Sequence, residues 1–230
     1  KLVKNPLMSV LVITILSLIV GAVVLAFHYR PLTPALLVCV FVTAIFYLLT
    51  NVFYFKAAQL DEISRLVPIF YLATVFIGLI SALTLREVFA PLQYFGVLLL
   101  VAGAILVSMR KFSLKFGKAF WLMILSTLSI SIYTILTKYL LSYEDYWTVF
   151  GYSRIGVFVA GIPLLYWHYS DFARMTRKAI GVITFSESLN LAALFCITIA
   201  TAQGFVTLVN ALASTQSFFL LVFTILISLF

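Results

Sequence analysis

The sequence predicts an all-α bundle of membrane-spanning helices, and three observations support this prediction. The 230 residues are 64% hydrophobic and only 10% charged, whereas a soluble domain carries about 25% charged residues. The hydrophobic residues fall in eight continuous runs of about 20 residues, the length that an α-helix needs to cross a bilayer. These runs do not alternate polar and apolar residues, so a membrane β-barrel is excluded. The composition also excludes a soluble globular domain and a disordered chain.

Short segments that contain Pro, Gly or charged residues separate the predicted helices. Asp61 is placed to cap the third helix, and Glu62 in its first turn complements the helix dipole. The Arg86-Glu87 pair ends the third helix before the fourth begins at Pro91. In chain order, the eight predicted spans are residues 7–27, 35–55, 63–85, 91–109, 119–137, 147–167, 179–201 and 204–230.

The Lys and Arg residues indicate how the predicted helices are oriented. If successive loops alternate between two faces, eleven of the 15 cations lie on the face where the first helix begins, here called face one. The opposite face, face two, holds Arg30, Arg86 and Lys138, and Arg154 lies inside a span. Loops rich in Lys and Arg stay in the cytoplasm, so face one is predicted to be cytoplasmic. Because the cations lie in these loops, the net charge of +8 does not point to nucleic acid as a partner.

An internal repeat is visible across the two halves of the sequence. Short patterns recur in the same order at nearly constant offsets of 140 to 144 positions, which indicates a duplication rather than chance similarity. The recurring patterns are Phe27-His28-Tyr29 with Trp167-His168-Tyr169, Gly21 with Gly161, and Ala58-Gln59 with Ala202-Gln203.

The repeat unit contains five spans. Because this number is odd, the second copy enters the membrane in the opposite orientation. The loops agree, because Lys1 and Lys4 precede the first span whereas Glu144 and Asp145 precede the sixth, its equivalent. Inverted repeats are typical of secondary transporters, which bind substrate between the halves near mid-membrane. We therefore predict two repeats, residues 1–111 and 112–230. Two complete copies contain ten spans, so about one helix is expected to be missing at each end of this chain.

Local motifs in both halves resemble one known family, the EamA-type family of the drug/metabolite transporter superfamily. They are YFKAAQLDEISRLVP at 54–68, LREVF at 85–89, QYFG at 93–96, AGA at 102–104 and GFVTLVNA at 204–211. Ala211 stands where Pro68 stands in the first half, so the second half lacks that proline. The resemblance implies ten helices in two inverted halves and transport of a small metabolite, often by export. It does not identify the substrate.

Two charged residues lie deep inside predicted spans. A charge at the bilayer centre costs about 2.5–3.5 kcal/mol on insertion scales, so such residues usually face a cavity or a partner. With a rise of about 1.5 Å per residue, Arg154 lies roughly 10 Å from face two and Glu187 roughly 12 Å from face one. They are predicted to form a charge pair lining a central cavity, where Glu187 could accept a coupling proton. The alternatives are a static interhelical pair, or an Arg154 side chain that extends outward to water.

Polar neighbours of Glu187 extend the set of candidate cavity residues. Asn190 and Ser186 lie within one turn of Glu187 on an otherwise apolar helix. This polar stripe fits a cavity wall and fits hydrogen-bonded helix packing equally well.

The second and fifth predicted helices supply the remaining candidates. Tyr47, Asn51 and Tyr54 follow one another at spacings of four and three residues, which suits cavity lining, although aromatic packing is the more common reason for such a stripe. Lys138 lies at the end of the fifth helix. It is a further candidate, although extension of its ammonium group to the membrane surface is the more common arrangement.

Motifs of catalysis and of cofactor binding are absent from the sequence. It contains no HExxH, no GxSxG, no Gly-rich phosphate loop and no carboxylate cluster for a metal, and its two cysteines are too few for a zinc site. We therefore predict no enzyme activity, no cofactor and no metal.

The predicted function is secondary transport of small organic metabolites, amino-acid-like or drug-like, across the cytoplasmic membrane by alternating access. The predicted partners are a small-molecule substrate, membrane lipid and a coupling proton, and the oligomeric state is left open. Two alternatives remain: a polytopic membrane enzyme acting on lipid, and a non-transporting scaffold or sensor subunit.

Overall fold

A computed structural model describes residues 7–85, 91–108, 117–173 and 176–216, together with 219, 222 and 226. These residues form α-helices and, within the ranges given, no strand. The helices are α1 (Leu7–Phe27), α2 (Pro34–Leu60), α3 (Ile63–Phe70), α4 (Leu72–Thr84), α5 (Pro91–Ser108), α6 (Lys118–Leu141), α7 (Tyr146–Ala173), α8 (Arg177–Gln203) and α9 (Val206–Ala213). The prediction of an all-α fold is confirmed.

In the part of the chain that the structure describes, six helical segments are long and apolar enough to cross a membrane. Large apolar side chains on them point away from the bundle, and Leu83, for example, is 84% exposed. This outward apolar surface fits a lipid environment and confirms a polytopic helical membrane bundle. The predicted spans 91–109 and 204–230 are described only in part, as α5 and α9. The six segments are Met8–Phe27, Pro34–Leu60, Arg65–Thr84, Lys118–Leu141, Tyr146–His168 and Arg177–Gln203.

The third predicted span, 63–85, is two helices rather than one. Pro68 lies inside α3 and has no backbone N–H to donate to the preceding turn. The helix ends two residues later, where the backbone N–H of Tyr71 donates to the carbonyl of Val67 at 3.2 Å. Tyr71 thus marks a break between α3 and α4 within one membrane span.

The predicted cap of this span is also different in the structure. The residue that precedes the first turn of α3 is Glu62 rather than Asp61. The Asp61 carboxylate accepts the backbone N–H of Glu62 at 2.8 Å and pairs with Arg65 at 3.2 Å. Asp61 therefore closes the connection between α2 and α3 instead of capping α3.

Helix α6 packs against α2, α3 and α4 at the centre of the bundle. Its small hydroxyl side chains reach the backbones of these neighbours. Ser126 donates to the carbonyl of Thr50 at 2.9 Å, and Oγ of Ser131, which donates to Thr127 on its own helix, lies 3.4 Å from the carbonyl oxygen of Ala73. Interhelical bonds of this kind, together with small side chains, are what hold helices together in lipid. They fix the part of the bundle that surrounds the cavity described below.

Helices α1 and α7 approach each other closely at glycines. A Cβ atom built on Gly21 would lie 3.0 Å from the carbonyl oxygen of Gly151, and one built on Gly161 would lie 2.5 Å from Cγ2 of Thr14. The first of these contacts is with backbone, and the second is with a β-branched side chain that has little rotamer freedom. Glycine is therefore the residue that permits this packing.

Two pairs of helices share the same local construction. Helices α2 and α8 both have 27 residues, α3 and α9 both have eight, and each second member begins 143 positions after the first. Threonine precedes both long helices, where Thr33 accepts the N–H of Leu36 and Thr176 accepts the N–H of Ala179. The sequence therefore builds the same helix–connection–helix unit twice.

We expect Gly161→Ala to destabilise the protein, because the new methyl group would overlap Thr14 on α1. Overpacking of this kind costs about 1–3 kcal/mol, which thermal unfolding of the purified protein in detergent would measure. The matched control is Gly181→Ala on α8, where an added Cβ meets nothing within 4 Å. Equal melting temperatures for the two variants would contradict the close packing of α1 on α7.

Candidate functional site

A cavity of about 250 Å³ lies between α2, α8 and the break between α3 and α4. Glu187 on its wall is ten residues past the start of α8, which places it about 15 Å along a helix of 27 residues. The volume is below the roughly 300–1,000 Å³ of most ligand pockets, so the cavity suits a small molecule. Its polar lining residues are Thr50, Asn51, Tyr54, Glu187, Asn190 and Gln216.

Glu187 is the acidic group of this cavity. Its half-buried carboxylate accepts a hydrogen bond from the side-chain amide of Asn190 at 3.3 Å. Within the described residues, the ion pairs are Arg30 with Asp145 and Arg65 with Asp61, so Glu187 has no cationic partner among them. The carboxylate can therefore receive a proton, or a donor group of a bound molecule.

Aromatic side chains form the opposite wall. Tyr54 packs edge-on against Phe55 and Phe70, with ring centroids 5.6 and 5.8 Å apart. Tyr71 also lines the cavity, at the helix break that Pro68 imposes. The cavity thus offers an apolar wall beside a polar one, an arrangement that orients an amphipathic molecule.

Arg154 lies in the protein interior beside this cavity and is fully buried. Its Nη2 donates to the hydroxyl of Tyr133 at 3.4 Å, and its Cζ lies 4.5 Å from the ring centroid of Tyr47. Tyr47 is within electrostatic range of both Arg154 and Glu187. The described residues show no ion pair between Arg154 and Glu187, so the predicted pair is wrong in this arrangement. Extension of Arg154 to water is also wrong, because the side chain is covered by aromatic rings.

Lys138 binds a helix end rather than the cavity. Its Nζ donates to the carbonyls of Thr201 and Gly204, each at 2.7 Å. These carbonyls are at the C-terminus of α8, where a cation is favoured by the helix dipole. The sequence favoured extension of this ammonium group to the membrane surface. In the structure it binds instead to the connection between α8 and α9.

The structure therefore separates the eight candidates into three groups. The cavity wall holds Asn51, Tyr54, Glu187 and Asn190. Tyr47 and Arg154 pack on each other beside it, whereas Lys138 and the exposed Ser186 are not among the lining residues described.

Sequence reasoning missed four residues of this region. Thr50 is adjacent to Asn51 and could have been found by extending the polar stripe of α2 by one position. Tyr133 belongs to a run of hydroxyl residues along α6, a signal of a buried polar face. Tyr71 required recognition of the break that Pro68 causes. Gln216 lies past the end of α9, and no local pattern marks it.

A second cavity, of about 450 Å³, lies at the face-two end of α1 and α7. The ring of His28 stacks on Trp147 with centroids 4.4 Å apart. Arg30 pairs with Asp145 at 3.4 Å. Asp145 also accepts the backbone N–H groups of Trp147 and Thr148, so it caps α7 and ties that helix to the connection between α1 and α2.

The chemistry that these sites offer is binding and proton exchange. Among the residues described, no group of three or more His, Cys, Asp or Glu could hold a metal ion. The central cavity supplies one carboxylate, three amide side chains and an aromatic wall. These groups can recognise a small polar or amphipathic molecule.

Comparison with known proteins finds a family model that matches the first half of the chain and a solved structure with a similar fold. The model of the EamA-like transporter family matches residues 3–109. A solved crystal structure of another protein superposes with a TM-score of 0.72 at 19% sequence identity, over 96% of this chain and 80% of that chain. At this identity, the likeness shows a shared fold. No curated protein gives a significant sequence match.

The cap of α7 predicts a pH-dependent contribution to stability. Burial opposes ionisation of Asp145, but the hydrogen bonds from Thr148 and Trp147 and the charge of Arg30 outweigh it and hold the pKa of Asp145 below its ordinary value of 3.8. Because the pKa of Asp145 is lower in the folded than in the unfolded protein, its ionised carboxylate stabilises the fold at pH values above the unfolded-state pKa. This contribution is lost as the pH falls through the folded-state pKa.

We therefore expect Asp145→Ala to lower the free energy of unfolding by about 1 kcal/mol at neutral pH. The difference from the parent should shrink as unfolding is followed from about pH 7 to about pH 3. Asp145→Asn is the matched control, since its side-chain oxygen can still cap the helix and does not titrate. A difference between parent and Asp145→Ala that is constant over this range would contradict the assignment.

Proposed function

We propose that this chain is a secondary transporter of small organic metabolites. The match of residues 3–109 to the model of the EamA-like transporter family supports this proposal. The family match supports a transporter-type integral membrane protein with a small-molecule substrate, and it argues against the polytopic enzyme. The observation that supports this function most directly is the cavity between α2 and α8, with Glu187 ten residues past the start of the 27-residue helix α8. A scaffold subunit would instead be expected to have a core packed solid by Phe and Leu.

Two inverted halves, residues 1–111 and 112–230, are the moving parts in this proposal. The equal lengths of α2 and α8 and of α3 and α9 support the duplication. The helix contacts do so as well, because α1 packs on α7, α4 packs on α9, and the contact of α2 with α7 has a counterpart in that of α1 with α8. A two-fold relation that exchanges α1 with α7 and α2 with α8 requires this pattern.

The way the cavity is built supports alternating access as the mechanism. The first half supplies Thr50, Asn51 and Tyr71, and the second half supplies Glu187 and Gln216. Rocking of one half against the other changes which face of the membrane the cavity opens to, while the binding groups stay near the interface. Since face one carries most cations, it is assigned to the cytoplasm. The family resemblance favours export across the cytoplasmic membrane.

Glu187 is the residue through which a proton could be coupled to this movement. Sealing an uncompensated charge inside the hydrocarbon layer is costly, and the described residues give Glu187 no cation. Protonation, or a donor group of the substrate, would remove this cost. The carrier would then change access only with the carboxylate neutralised.

The test uses Glu187→Gln in the full-length protein, reconstituted in liposomes, with a ligand identified by a thermal-shift screen of metabolites. A bound ligand raises apparent stability, so the screen supplies the labelled molecule for uptake. We expect a pH gradient to drive uptake by the parent and not by Glu187→Gln, while exchange of labelled for unlabelled ligand persists in the variant.

Glu62→Gln is the matched control, because Glu62 is an exposed carboxylate at the start of α3 that makes no side-chain cap. It should retain the gradient-driven uptake of the parent. An unchanged response to pH in Glu187→Gln would remove this residue from coupling, and absence of any exchange in the parent would contradict transport itself.

A further inference from the structure

Arg154 is the charged side chain that the described part of the chain buries completely. Arginine has five N–H donors, and the bond from Nη2 to the hydroxyl of Tyr133 is long at 3.4 Å. Nε and Nη1 are buried and have no hydrogen-bond partner among the described residues. Buried polar groups are almost always paired, so this guanidinium keeps most of its binding capacity unused.

The surroundings of Arg154 stabilise a cation without neutralising it. The rings of Tyr47 and Phe150 lie 4.5 and 5.4 Å from its Cζ. Such cation–π contacts are favourable, but they supply no acceptor for Nε and Nη1 and no negative charge. Within the described residues, no carboxylate lies in ion-pair contact with Arg154. An anion is therefore the chemical partner that this site lacks.

Tyr47 connects this site with the helix that lines the central cavity. Tyr47 lies on α2 three and four residues before Thr50 and Asn51, which line the cavity on the same helix face. The backbone carbonyl of Tyr47 is held by the side-chain amide of Asn51 at 2.8 Å. Tyr47, whose ring lies 4.5 Å from Cζ of Arg154, is thus about one helical turn along α2 from the polar wall.

We propose that Arg154, with the hydroxyl of Tyr133, is the anion-binding end of the cavity, and that a substrate carboxylate displaces the Tyr47 ring to reach it. The inference rests on the proposed function and names its substrate class: small organic molecules that carry a carboxylate beside an apolar group. The guanidinium fork binds a carboxylate through two parallel N–H···O bonds. The aromatic wall of Tyr54 and Phe70 receives the apolar part.

The experiment compares two probes of equal size that differ in charge, 3-phenylpropionate and 3-phenylpropanamide. Their binding to the full-length protein in lipid nanodiscs is measured by calorimetric titration. We expect the parent to bind the carboxylate at least about tenfold more tightly than the amide, as charge-assisted hydrogen bonds predict. Arg154→Gln should bind the two probes equally. Arg177→Gln is the matched control, since it removes an exposed cation at the start of α8, and it should keep the preference.

Two further variants keep the test decisive if Arg154→Gln does not fold. Arg154→Lys retains a charge without the fork, and Tyr133→Phe removes the hydroxyl. Both should reduce the preference several-fold. The proposal is overturned if the parent binds the probes equally or binds neither, or if the preference survives in Arg154→Gln, Arg154→Lys and Tyr133→Phe. A preference lost in Glu187→Gln and kept in the Arg154 variants would overturn it as well. Exchange transport without any preference for the carboxylate would leave the proposed function standing.

Discussion

Hydrocarbon offers no hydrogen bonds, and this constraint governs where every polar group of the bundle lies. Most buried hydroxyl groups form a hydrogen bond within their own helix. Thr137, for example, donates to the carbonyl of Tyr133 one turn earlier at 2.8 Å. Others bond to a neighbouring helix, as Ser126 does to Thr50. Of the remaining polar groups, Glu187 and Asn190 lie where water or a ligand can reach them, whereas Arg154 is buried. The accessible place is the cavity between α2 and α8.

The same constraint applies to the two charged side chains, for which burial without a partner costs more free energy than it does for a hydroxyl group. Glu187 lies half-buried in the cavity, and Arg154 is fully buried under Tyr47. Neither neutralises the other in this arrangement. A membrane protein that served only as a scaffold would gain stability by pairing these charges or by replacing both with apolar residues. Two opposite charges kept apart are instead useful to a carrier that must bind a polar molecule and release it.

Much of this architecture is visible in the sequence because lipid imposes a strong pattern. The spans follow from hydropathy alone, and Asn51, Tyr54, Glu187 and Asn190 stand out as polar groups within them. The sequence does not reveal contacts that depend on how the helices are rotated. The cover of Tyr47 over Arg154 is such a contact, and so is the docking of Lys138 on the end of α8. The proline that divides the third span was visible, but its effect on Tyr71 depends on the local geometry.

The central claim is that one cavity opens in turn to the two faces of the membrane. The test uses Asn51→Cys in a variant whose Cys39 and Cys196 are replaced by Ala. The new cysteine is labelled with a membrane-impermeant thiol reagent in right-side-out and in inside-out vesicles, which measures from which face the cavity is accessible. The account predicts reaction from both faces, with a balance that shifts when a transported ligand is added. Reaction from a single face under all conditions, or from neither, would contradict it.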